Sequence, residues 1–120
     1  MTFTDFIQEI LNSYISENPE KADIYSEQIN AIVDFRNDLN GYGAYSYFTL
    51  QSGCQKFTGE DANNYGNNGN FIIMEGRDYE LGFLLSIKDG LIESLEIYPN
   101  DGKNWNGEVK HFHLSKVLHA

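Results

Sequence analysis

A lone cysteine, Cys54, has no partner for an intramolecular disulfide, so no oxidised framework holds this chain together. Basic side chains are scarce. Eight of them against eighteen acidic ones leave a net charge of −10, which argues against direct contact with nucleic acid phosphates. No run approaches the ~18 apolar residues that span a bilayer. Met1-Thr2-Phe3-Thr4-Asp5 lacks the basic start of an export signal. A catalytic signature is missing as well: there is no nucleophile elbow, no phosphate-cradling glycine loop and no calcium-loop spacing. These absences predict a cytoplasmic, non-enzymatic protein without cofactor, metal, nucleic acid or membrane partner. What the chain does have is 120 residues, 41% of them hydrophobic and 14% aromatic, enough for one globular domain over 1–120.

The first third reads as helix. Phe3, Phe6, Ile7, Ile10, Leu11, Tyr14 and Ile15 form one apolar stripe at helical spacing. Thr2 caps it, with Asp5 three residues on, and it ends near Glu17. Asn18-Pro19 then suits the start of a second helix. Ala22, Tyr25, Ile29, Ile32, Val33 and Leu39 carry the apolar pattern to Asn40-Gly41, predicting a helix over Pro19–Leu39 about 31 Å long.

The rest reads as antiparallel strands. Gly41–Leu50 is aromatic and β-prone, and Cys54–Phe57 is a short candidate partner. Gly59–Asn70, with five asparagines and three glycines, reads as a loop. Strands come next at Phe71–Glu75, Tyr79–Ile87, Leu91–Tyr98 and Gly107–Leu114, with a hairpin at Asp89-Gly90. In the segment Leu91–Tyr98, Leu91, Leu95 and Ile97 are expected on one face, Ile92 and Tyr98 on the other. The whole predicts an α+β domain: two N-terminal helices on a four- to five-stranded antiparallel sheet.

Glu20, Asp23, Glu27, Asp34 and Asp38 would form a single acidic ridge on the second helix, clear of Lys21 and Arg36. Such a ridge is either a solvated face or a surface for a basic partner. His111 and His113 share a strand face, which reads as a solvent-facing pair or as part of a metal or acid–base site. Trp105, in the polar turn after Asp101, either flaps over the core edge or anchors an interface. Tyr65 in the Asn/Gly loop joins these as a candidate contact. Cys54 reads as a half-buried hydrophobe, since no base can be assigned to it.

Gly90-Leu91-Ile92-Glu93-Ser94-Leu95-Glu96-Ile97-Tyr98, with its Ile-x-x-Leu-Glu-x-Tyr pattern, precedes a short turn and Trp105. This segment of the chain resembles the closing hairpin of small bacterial immunity proteins from contact-dependent inhibition and polymorphic toxin systems. The resemblance implies a cytosolic, non-enzymatic protein that binds and neutralises a cognate toxin domain, frequently a nuclease. Together with the acidic charge it points to a basic nuclease; the candidate contacts, read from the residues themselves, are Glu20, Asp23, Glu27, Asp34, Asp38, Tyr65, Asp101 and Trp105. The competing reading is a small-ligand-binding or enzymatic domain with a pocket between helices and sheet.

Overall fold

A computed structural model describes residues 1–116. Helix α1 spans Phe3–Glu17, and its start is the anticipated capping box. Thr2 Oγ1 accepts the Asp5 amide at 3.0 Å while the Thr2 amide donates to the Asp5 carboxylate at 3.3 Å. Its apolar stripe buries Phe6, Ile7, Ile10, Leu11 and Tyr14. Asn18 closes this helix, its Nδ2 donating to the Tyr14 carbonyl at 2.8 Å, and also opens the next turn, its carbonyl accepting the Lys21 amide at 3.0 Å. A 3-10 turn, Pro19–Lys21, leads into α2, which covers only Ala22–Asn30.

The second helix is therefore much shorter than the sequence predicts, and the chain beyond Ala31 turns into a strand. Strand β1, Ile32–Leu39, pairs antiparallel with β2, Ala44–Leu50. Ile32 faces Leu50 and Phe35 faces Phe48, with Val33 the extra residue of a β-bulge. The bulge places two apolar residues three apart on one strand face, a spacing that imitates a helix. Asn40-Gly41 is a hairpin turn rather than a helix stop. The Asn40 side chain accepts the amides of Tyr42 and Gly43, and Gly41 takes φ +82°.

Five more strands complete the sheet: β3 (Asn64–Gly66), β4 (Phe71–Met74), β5 (Leu81–Lys88), β6 (Leu91–Pro99) and β7 (Phe112–Ser115). The order is β1-β2-β6-β5-β4-β7, with β3 also paired to β5, and every pairing is antiparallel. The α+β architecture with two N-terminal helices on the sheet is as expected, but there are seven strands rather than four or five. Strand β1 comes from the segment read as helix and β3 from the Asn/Gly loop. Cys54–Phe57 forms no strand; the Phe57 amide instead donates to the Gly90 carbonyl at 2.9 Å. The last strand starts only at Phe112, because Trp105–Glu108 is a closed turn in which the indole N–H donates to the Glu108 carbonyl.

The β5–β6 hairpin turns at Asp89 and Gly90, both with positive φ, as a two-residue hairpin of right-handed twist requires. A second bulge, at Glu93, shifts β6 by one residue, since Ile87 pairs with Ile92 and Ser86 with Ser94. Ile92 is thereby brought into phase with Leu95 and Ile97, all buried, and does not share the face of Tyr98. The helices cover the sheet face carrying Leu81, Phe83, Leu85, Leu95 and Ile97, where the Tyr14 and Phe83 rings meet edge-on at 6.0 Å. Gln28, fully buried on α2, fastens the helix to the hairpin. Its Nε2 donates to the Gln55 and Gly90 carbonyls and its Oε1 accepts the Ile92 amide.

Candidate functional site: the open sheet face

The register lays out the face opposite the helices row by row. One row runs Asp38 (β1), Tyr45 (β2), Glu96 (β6), Leu84 (β5). The next runs Arg36, Tyr47, Ser94, Ser86 and Tyr65 (β3). Asp34 and Thr49 pair beyond it, and Gly82 and Tyr98 pair on the other side. Residues of alternating parity on these strands belong to the core, where Ala44, Ser46, Leu95 and Ile97 are at most 1% exposed. Tyr45, Tyr47, Glu96 and Tyr98 are only half-buried, and Tyr65 is 56% exposed.

The side chains of this face hold one another in place. Tyr65 donates to Glu96 at 2.5 Å. The rings of Tyr45 and Tyr47 stack with centroids 5.8 Å apart and planes 11° apart. The Arg36 guanidinium lies over the Tyr47 ring at 4.3 Å. Tyr98 spreads across Gly82, where an added Cβ would fall 2.4 Å from the Tyr98 ring. Glu96 sits at the centre. Its hydrogen bond is the main reason the Tyr65 phenol titrates above its usual range, with partial burial second. For Tyr45 burial comes first and the hydrogen bond to Glu96 second, and for Tyr98 burial precedes the Glu96 charge. Glu93 reaches the same face, accepting from the Ser86 hydroxyl at 3.3 Å.

The anticipated acidic ridge does not exist as one surface. Glu20 lies in the 3-10 turn and Asp23 and Glu27 on α2, on the helix side of the molecule. Asp34 and Asp38 lie on β1 and project from the open face with Arg36 between them. Glu27 is engaged locally, accepting the Gln55 amide, and Lys21 pairs with Asp61. Of the anticipated contacts, Asp34, Asp38 and Tyr65 fall on one sheet face, with β2, β6 and β5 between the aspartates and the tyrosine. Asp101 and Trp105 are placed elsewhere and are occupied structurally. Asp101 pairs with Arg77 at 3.1 Å, their side chains only 8% and 14% exposed. Trp105 is buried against Phe3 and Phe6, the flap of the two readings that its turn allowed. Tyr45, Tyr47, Glu96 and Tyr98 were absent from the anticipated set. Their signal was the i, i+2 spacing of Tyr45/Tyr47 and of Glu96/Tyr98, which puts each pair on one strand face.

His113 lies on β7 and His111 just before it, both exposed. Among the described residues no group of three or more His, Cys, Asp and Glu could hold a metal ion. The Cys54 thiol points to the Gln51 carbonyl at 3.4 Å. Between α1, α2 and the β3 segment lies a recess of about 110 Å³ lined by Tyr14, Tyr25, Asn64 and Asn67, below the ~300 Å³ where small-molecule sites begin. No described helix is long and apolar enough to cross a membrane. Comparison with protein-family models, with curated proteins and with solved structures finds no match.

Proposed function

We propose that this chain is an inhibitory binding protein of the immunity type. It acts in the cytoplasm without catalysis of its own and neutralises a cognate toxin domain, a basic nuclease, by covering the groove where nucleic acid phosphates would lie. The observation that carries this reading is the open sheet face, where tyrosines surround Glu96 beside Asp34 and Asp38. Tyrosine supplies large contact area at small entropic cost, and interfaces are enriched in it. The carboxylates, on a chain of net charge −10, favour a basic partner and raise the rate of encounter with it. The likeness of Ile92–Tyr98 to the closing hairpin of immunity proteins supports the same reading, and two of the residues in question, Glu96 and Tyr98, lie in that segment.

The test is co-expression. The toxin domain that this reading places in the gene beside this chain is induced with and without it, and growth is scored. Rescue by the wild type, and its loss in a folded Tyr45→Ala/Tyr65→Ala/Glu96→Arg variant, is the expected outcome. A toxin that the wild type leaves active overturns the reading.

A further inference from the structure

We infer that the surface patch of Tyr45, Tyr65 and Tyr98 around Glu96 is a guanidinium-binding site, which seats an arginine side chain of the basic partner. The inference rests on the inhibitor reading for its biological occupant, but its chemistry is argued from the site alone. Glu96 is the one carboxylate in the middle of the face, flanked in its row by Tyr45 on β2 and Leu84 on β5. A carboxylate offers about four acceptor positions. Tyr65 fills one at 2.5 Å, which leaves room for the two parallel N–H donors of a guanidinium. None of the ion pairs among the described residues involves Glu96; they are Lys21–Asp61, Arg77–Asp101 and Lys116–Glu17. Its charge therefore meets phenol hydroxyls but no cation.

The aromatic walls suit the same ligand. A planar, weakly hydrated guanidinium stacks on a tyrosine face, whereas an ammonium keeps its water more tightly. This surface already holds one such contact internally, since Arg36 lies 4.3 Å above Tyr47, whose ring is stacked on Tyr45. An incoming arginine at Glu96 would extend that arrangement by one row. Charge decides the kind of occupant. Asp34, Asp38 and Glu96 share these rows with Arg36 as the one basic side chain, and Glu93 adds a further carboxylate. A second copy of this chain would bring the same charges against themselves, and an acidic partner would fare no better.

The probes are blocked hexa-arginine and hexa-lysine peptides of equal charge. They are titrated into the full chain at low salt and followed by amide chemical shifts and calorimetry. The arginine peptide is expected to bind roughly fivefold or more tighter than the lysine peptide, because only it can both stack and fork. The shifts should centre on Tyr45, Tyr65, Glu96 and Tyr98. Glu96→Gln should abolish the arginine preference and Tyr65→Phe should reduce it, each with a native-like spectrum, while Asp23→Asn leaves it intact. Equal affinity for the two peptides, or shifts centred elsewhere, overturns the site. The growth assay reads independently. Rescue without an arginine preference leaves the inhibitor reading and removes this site; an arginine preference without rescue keeps the site and removes the inhibitor reading.

Discussion

The Tyr65 hydroxyl lies 2.5 Å from a Glu96 carboxylate oxygen, although β5 runs between the strands that carry them. The contact is diagonal: Tyr65 pairs with Ser86, whose partner on β6 is Ser94, and Glu96 is the next outward residue along β6. Two serines in the intervening row leave the space over which the tyrosine ring reaches. The short segment β3 is thus tied to the centre of the sheet by a side chain as well as by its ladder.

That contact sets a pH dependence. The Tyr65 phenol is held above its ordinary value first by its hydrogen bond to Glu96, and the Tyr14 phenol is held up first by burial. Both folded values exceed the unfolded value near 10. The stabilisation is therefore complete below pH ~10 and is lost as pH rises above it. Tyrosine-specific titration by carbon NMR should show Tyr65 ionising late in the wild type and earlier in Glu96→Gln, with its partial burial still holding it above the ordinary phenol value. Tyr14 should be unmoved by that substitution.

Three glycines should separate by what an added methyl would meet. At Gly43 a Cβ falls 2.3 Å from the Ile97 carbonyl oxygen, which is sheet backbone and cannot swing away. At Gly82 it falls 2.4 Å from the Tyr98 ring, which can. At Gly66 nothing lies within 4 Å. Urea unfolding should rank the alanine variants accordingly, with Gly43→Ala costing about 3 kcal/mol or more, Gly82→Ala about 1–3 and Gly66→Ala under about 1. Gly82→Ala should also displace Tyr98 from the open face.

Much of this fold was legible in the sequence, and the two misreadings that mattered most for the site share a cause. The α1 stripe and its Thr2–Asp5 box are local features, and both are present as read. So is the Asp89-Gly90 hairpin, whose turn type needs two positive φ angles. Two of the failures fall at the bulges. Val33 adds a residue between Ile32 and Phe35 and makes a strand look helical; Glu93 adds one between Ile92 and Ser94 and inverts the face assigned to Ile92. A bulge is fixed by pairing with a distant strand, so simple periodicity does not reveal it. The site suffered with it: placing Asp34 and Asp38 on a helix tied them to Glu20, Asp23 and Glu27 instead of to Tyr45, Tyr47 and Glu96.

Asp101 and Trp105 should act on stability. Asp101 accepts from Arg77 and from the Lys103 amide, and Arg77 also donates to the Asn104 and Lys103 carbonyls, so the pair organises the whole turn. Arg77 Nε is buried beside it without a partner, so losing Asp101 would leave a poorly solvated cation. Asp101→Ala should cost about 2–4 kcal/mol. Trp105→Ala, which empties the space against Phe3 and Phe6, should cost about 3–5 kcal/mol. Urea midpoints check both.

Gln28 is the single side chain on which the seating of α2 depends most. Gln28→Ala would strand the buried Ile92 amide and remove one donor each from the Gln55 carbonyl and from the Gly90 carbonyl, which keeps the Phe57 amide. A loss of about 1–3 kcal/mol is expected, the cost of one orphaned buried group. Amide exchange should rise at Ile92 ahead of global unfolding, because its acceptor is the one removed. Gln28→Glu should lose nearly as much, since a carboxylate would face two carbonyls that need donors.

The division of acidic residues between the two sides of the molecule gives the last prediction. Asp34 and Asp38 project from the open face, whereas Glu20 and Asp23 lie on the helix side. If the open face meets the basic toxin domain, Asp34→Lys and Asp38→Lys should slow association severalfold at low salt, because charges at an interface rim act mainly on the on-rate. Glu20→Lys and Asp23→Lys remove the same net charge from the chain. They should slow association less, because at physiological salt the field of an exposed charge decays over ~8 Å. The comparison holds net charge constant and varies only position. The free protein should tolerate all four substitutions within about 0.5 kcal/mol, as all four positions are exposed. Stopped-flow association rates for the four variants, at two salt concentrations, decide it. Equal slowing by all four would mean that net charge alone steers the encounter. Greater slowing by Glu20→Lys and Asp23→Lys would move the interface to the helix side.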